Sequence, residues 1–209
     1  MQMTRVWSAL GAALIVAAAA PAGAADDATA LSAKIDQAIS AATSYRVTVA
    51  GPGGLAVDIL TVGHDRVHVQ STAGGTPKES LVIGTAMYYR EAAAPWIASI
   101  VPAVKRPRKN LLYMAAPDTK LEPLADRAEA GVTYGAFGSL AVGNSGVPAT
   151  MECTYDKTTY RPRTCTVVLQ AVPVPLRVTY DKWNDPSNAV EPPPGVAPPT
   201  PAPSPSAKP

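Results

Sequence analysis

The spacing of apolar residues changes once, early in the chain, and the change separates two kinds of element. In residues 26–44, DDATALSAKIDQAISAATS, the side chains Leu31, Ile35, Ala38 and Ile39 recur at i, i+4, i+7 and i+8. That spacing places them in one stripe of an amphipathic helix. Asp27 or Thr29 stands where an N-cap belongs. A helix with a single apolar stripe must lie on a second layer. From Tyr45 the period becomes two. SYRVTVAG sets Tyr45, Val47 and Val49 against Arg46 and Thr48, and GLAVDILTVG sets Leu55, Val57 and Ile59 against smaller or polar residues. DRVHVQST sets Val67 and Val69 against Arg66 and His68, and SLVIGTAMYYRE is a fourth run. Alternation of this kind predicts β-strands, and the intervening GPGG, GHD and AGGTPKE are turn sequences. Strands joined by such short turns form an antiparallel meander.

The alternation lapses over residues 92–127. Prolines 95, 102, 107, 117 and 123 exclude one long helix there, so the segment is predicted to form several short ones. Trp96, Ile97, Ile100 and Val101 then share one helical face, and Leu111, Leu112 and Met114 sit on the next. Strands resume at GVTYGAFGSLAVG and continue through PATMECTYD, RPRTCTVVLQAV and PLRVTYDKW. Beyond Glu191 the sequence PPPGVAPPTPAPSPSAKP is almost wholly Pro, Ala and Ser. Composition of that kind predicts a disordered or polyproline II spacer.

The first residues decide where the chain lives. Arg5 is the only charge before Asp26, an apolar run from Val6 to Ala20 follows it, and Pro21 precedes the small-residue pattern Ala22-Gly23-Ala24. A short basic start, an apolar middle and an A-x-A end make a cleaved secretory signal. The run is about 15 residues where a membrane span needs about 20. The expected organisation is therefore a signal peptide over residues 1–24, one domain over 25–191 and a tail over 192–209. The mature chain is expected in the periplasm or outside the cell, and not spanning a membrane. Without Arg5, 17 basic residues stand against 16 acidic ones, a net of +1. That balance gives no footprint for nucleic acid.

Export bears on the only two cysteines, Cys153 and Cys165. In a hairpin whose loop is KTTYR, centred on Thr159, Cys153 faces Cys165, Tyr155 faces Arg163 and Met151 faces Val167. Facing strands bring two cysteines to bridging distance, and an exported protein keeps the bond. The C-x11-C spacing matches no metal or redox motif, so the pair reads as a structural disulfide. Candidate chemistry is otherwise sparse. His64 and His68 form H-x3-H, but on a strand those positions lie about 13 Å apart and one ion would not reach both. No G-x-S-x-G and no free thiol supplies a nucleophile. The glycine-rich turns lack the lysine and helix of a phosphate loop. An enzyme is not expected, nor a cofactor or metal. The strongest charge feature is Lys105, Arg106, Arg108 and Lys109 between two apolar patches. It suits anionic headgroups, each such charge contributing about 1 kcal/mol near an anionic surface.

The order of elements, an exported signal, one amphipathic helix, a meander, an interruption and further strands, resembles the LolA-like superfamily of periplasmic lipoprotein and lipid carriers, which includes LppX-type proteins. The closing stretch VTYDKWNDPSNAVEPP is similar to the final strand of that group, and Tyr160-Arg161-Pro162 to the turn of its last hairpin. The resemblance covers about residues 28–193. It implies an α+β fold: a curved antiparallel sheet, an incomplete β-barrel, with the N-terminal helix and short helices covering the concave face. It also implies a hydrophobic ligand, a lipid or lipoprotein acyl chain, held against that face. Trp96, Ile97, Ile100 and Val101, on the one helical face read for them above, are expected to form a lid over the concave face, with permanent core as the other destination of such a face. The other reading is a structural or regulatory envelope module that uses the fold to bind another protein.

Overall fold

The computed structural model describes residues 28–101, 121–142, 148–170 and 172–200. The expected signal peptide, the basic run 105–109, the patch of Leu111, Leu112 and Met114, and the end of the tail lie outside the described residues. The first described element is helix α1 (Ala28–Ser40), whose residues Leu31, Ile35 and Ile39 are buried. These are three members of the predicted stripe, and burying each stabilises the fold by about 1.5–3 kcal/mol.

Among the described residues eleven strands follow: β1 (Ser44–Ala50), β2 (Ala56–Val62), β3 (Arg66–Ala73), β4 (Thr76–Ile83), β5 (Ala86–Glu91), β6 (Ile97–Ile100), β7 (Glu122–Glu129), β8 (Val132–Val142), β9 (Pro148–Tyr155), β10 (Pro162–Leu169) and β11 (Val172–Asp181). They form one curved, open antiparallel sheet in the order β6-β5-β4-β3-β2-β1-β11-β10-β9-β8-β7. Two meanders, β1 to β6 and β7 to β11, therefore meet where β1 pairs with β11, with Val47 opposite Tyr180 and Val49 opposite Val178. The link from β6 to β7 joins the two opposite edges of the sheet.

The main core lies between α1 and the centre of the sheet. It gathers Leu31, Ile35 and Ile39 with Val47, Val49, Ile59, Phe137, Met151, Val167 and Val178. Cys153 and Cys165 sit in it as register partners and are bonded to each other. Met151 faces Val167 as expected, but Tyr155 faces Pro162 and not Arg163, because a bulge falls between Pro162 and Thr164. The loop before the bulge is held by Asp156, whose Oδ1 accepts from the Thr158 and Thr159 amides at 3.0 and 2.7 Å. Gly135 faces Tyr155 across β8 and β9, and a Cβ there would lie 2.2 Å from the tyrosine ring. Only a glycine lets that ring lie over the strand.

The structure corrects the reading of residues 92–127. The segment carrying Trp96, Ile97 and Ile100 is not a helix: Ile97–Ile100 is edge strand β6, and Glu122–Glu129 is β7 at the other edge. Both had too little alternating apolar pattern to be read. β6 is four residues long, and β7, EPLADRAE, is mostly exposed and polar. An edge strand also tolerates Pro123, which a central strand would not. His64 lies in the β2–β3 turn, so only His68 is a strand residue.

Candidate functional site on the concave face

Residues directly opposite one another in a sheet share a face. One row of register partners runs from beneath α1 to the sheet edge: Val47, Ile59, Val69, Ser80, Tyr89 and Ile97. Burial falls steadily along it. Val47 and Ile59 are 2 % and 4 % exposed, Val69 and Tyr89 are half-buried, and Ile97 is 65 % exposed. A parallel row runs through Val67, Val82 and Met87, the last two half-buried. Helix α1 thus covers the centre of the concave face and leaves an apolar strip on β4, β5 and β6. The next row out is polar. Lys78 pairs with Glu91 at 3.6 Å, and the Tyr89 hydroxyl donates to Glu91 Oε2 at 3.3 Å. An apolar floor with a polar margin at one end has the character of a site for an amphipathic small molecule.

The opposite face of the same strands is differently built. Glu79 Oε2 accepts from Arg90 Nε at 2.6 Å, its Oε1 accepts from Gln70 Nε2 at 3.2 Å, and His68 Nε2 lies 2.7 Å from that same oxygen. The Arg90 guanidinium lies 4.5 Å over the Trp96 ring. Burial alone pushes the Glu79 carboxyl up, but the hydrogen bonds from Arg90, Gln70 and His68 outweigh it and hold the group below its ordinary value.

The four residues read as a lid are accordingly divided. Ile97 faces the concave side with Tyr89, whereas Trp96 packs on the outer side with Leu81 and Tyr88. Ile100 pairs with Ala86 on that outer side and is 43 % exposed. Val101 ends the strand, its amide donating to the Thr85 carbonyl at 2.9 Å. Val82, Met87 and Tyr89 escaped the sequence reading. The run SLVIGTAMYYRE alternates them onto one face, but cross-strand register was needed to see which face α1 leaves open. Among the described residues no group of three or more His, Cys, Asp or Glu is placed to hold a metal ion, and no helix is long and apolar enough to cross a membrane.

No protein-family model matches the chain, and no curated protein matches it. Solved structures do. LprF from Mycobacterium bovis is similar over 76 % of this chain and 93 % of its own, at 12 % identity and a TM-score of 0.52. The Mycobacterium tuberculosis lipoprotein LppX is similar over 77 % and 98 %, at 17 % identity and a TM-score of 0.47. A LolA superfamily protein from Nitrosomonas europaea matches 74 % of this chain and 91 % of its own, at 10 % identity and a TM-score of 0.32. At these identities the likeness is one of fold. The likeness to LprF, over nearly all of that chain, shows that the two chains share a fold.

Proposed function

We propose that this chain is an exported cell-envelope protein that binds the acyl part of a lipid or lipoprotein on the concave face of its half-barrel. The observation that carries the reading is the graded apolar row beyond α1, ending in Ile97 at 65 % exposed. A soluble protein gains nothing from leaving Met87, Tyr89 and Ile97 partly exposed on the inner side of a curved sheet unless something covers them. An acyl chain laid along Val82, Met87, Tyr89 and Ile97 would meet apolar side chains along its length. The Lys78 and Glu91 margin would meet a polar headgroup. The fold and the signal-like N-terminus support the same reading, and the reading asks for no catalysis and no cofactor. The cations Lys105, Arg106, Arg108 and Lys109, on the link between the sheet edges, are proposed as contacts for anionic headgroups.

The test pairs two substitutions on one strand. Ile97→Asp places a carboxylate on the proposed surface, and Ile100→Asp places one on the outer face three residues away. Both positions are well exposed, so both chains are expected to fold. Binding of the fluorescent fatty acid cis-parinaric acid is expected to fall at least tenfold in Ile97→Asp and to be unchanged in Ile100→Asp. Native mass spectrometry of the exported wild-type protein is expected to show co-purified lipid. If no lipid co-purifies and the probe does not bind, the protein-binding reading takes its place.

A further inference from the structure

The outer face of an antiparallel sheet is ordinarily wet, yet here it carries an apolar groove. Leu60, Leu81, Tyr88 and Ala98 belong to one row of register partners, and Val62, Ile83 and Ala86 to the next. Tyr88 is 1 % and Leu81 6 % exposed, which is core burial on the side away from the helix. Their cover is the chain's own C-terminal segment, residues 190–196. Val190 is buried with them, and Val196 packs against the same cluster.

The segment is built, not draped. Its root is fixed to the start of β1: the Asn184 amide donates to the Ser44 carbonyl at 2.8 Å, and Asn188 Nδ2 donates to Ser44 Oγ at 2.8 Å. Val190 and Pro193 are buried and Val196 half-buried, while Glu191, Pro192, Pro194 and Gly195 between them are exposed. Val190 and Pro193 lie three residues apart, which an extended run through Pro192 allows. The strand then closes in a turn. The Val196 amide donates to the Pro193 carbonyl at 3.2 Å, and Gly195 takes φ +76° behind Pro194. Proline followed by a left-handed glycine is the signature of a type II turn. Three prolines in a row lose little freedom on docking, and aromatic-lined grooves recognise such segments for that reason. Tyr88 and Trp96 supply the aromatic lining here.

We propose that this outer groove is a peptide-recognition site for a proline hook of the form Val-x-x-Pro-Pro-Gly-Val, and that residues 190–196 occupy it as a resident, self-blocking ligand. The site stands apart from the concave face and does not depend on lipid binding. A tethered hook is present at about millimolar effective concentration. A proline-rich partner must therefore displace it to dock.

The test uses the full chain with Val190→Asp and Val196→Asp, which expels the hook, and a fluorescein-labelled peptide of residues 188–199. Saturable anisotropy binding is expected with the variant and at least tenfold weaker binding with the wild type. The same peptide carrying both aspartates is expected not to compete. Should circular dichroism show the double variant unfolded, the single Val196→Asp chain takes its place; Val196, half-buried at the end of the turn, is then freed while Val190 stays seated, and peptide binding is expected tighter than in the wild type, with equal binding overturning the proposal. A folded variant that leaves millimolar peptide unbound overturns the proposal. So does equal binding by variant and wild type, which would place the peptide elsewhere.

Discussion

Glu79 shows how much one side chain does on the outer face. It is the shared acceptor for Arg90, Gln70 and His68, and it is mostly buried. Its carboxyl is held below the ordinary value, so the folded chain favours the charged form more than the unfolded chain does. The contribution is fully present above the unfolded pKa of about 4.3. It is lost as pH falls through the lower folded value. Asp156, lowered first by the Thr159 amide, acts in the same direction. Asp36, raised by burial, acts in the opposite one. Glu79→Gln is therefore expected to flatten, without abolishing, the loss of stability as pH falls below the ordinary carboxylate range. It should also cost about 1–3 kcal/mol at neutral pH, because Arg90 loses its charged partner. Urea midpoints measured across that pH range check both parts. A variant with the wild-type slope would remove Glu79 from the account.

At the scale of elements, the β9–β10 hairpin is the unit closest to its sequence. Its alternation, its loop and its cysteine pairing were all legible, since register in a short hairpin follows from the turn alone. The bulge at Pro162 was not, because nothing in the sequence says where a ladder skips a residue. The disulfide closes a short loop within the main core, and both cysteines are 2 % exposed. Replacing both with Ala is expected to cost about 2–4 kcal/mol, most of it through the freed unfolded chain. In a domain of this size that lowers the melting temperature by about 5–15 °C, as differential scanning calorimetry would read; a loss under 1 °C would show the bond to be idle. The edge strands were illegible for the reverse reason. Ile97 and Ile100 sit three apart, which fits one helical face as well as opposite faces of a strand, and only the pairing of Tyr89 with Ile97 decides it. The helix α1 was readable because Leu31, Ile35, Ala38 and Ile39 fall at i, i+4, i+7 and i+8, and the odd step to Ala38 fits no strand period. What it covers was not, since burial beyond Ile59 depends on how far a 13-residue helix reaches across eleven strands.

The whole molecule is a sheet dressed on both sides, by α1 within and by the C-terminal hook without. Composition pointed to a spacer from Pro192 onward, because a run of Pro, Ala and Ser carries few large apolar groups. Packing nevertheless continues to Val196, which meets a groove that is already apolar, and Pro193 before it is buried. Alternation makes the two sides interdependent. Leu81 and Ile83 face the hook, while Val82 between them faces the concave strip. Tyr88 faces the hook, and Met87 and Tyr89 flank it on the other side. Ending the chain after Glu191 removes Pro193 and Val196 and unroofs Leu81 and Tyr88. Burial of about two such side chains is worth roughly 2–4 kcal/mol before the entropy of ordering the segment is subtracted. A net loss of about 1–2 kcal/mol is left, and the melting temperature is expected to fall by about 3–8 °C relative to a chain ending at Thr200. Amide exchange measured by mass spectrometry should quicken in β4 and β5, the strands that the hook backs, and remain slow in β9 and β10 under the disulfide. An unchanged melting temperature with unchanged exchange would return residues 192–200 to the status of a spacer. Quickening in every strand would make the hook part of the global core instead of a local cover.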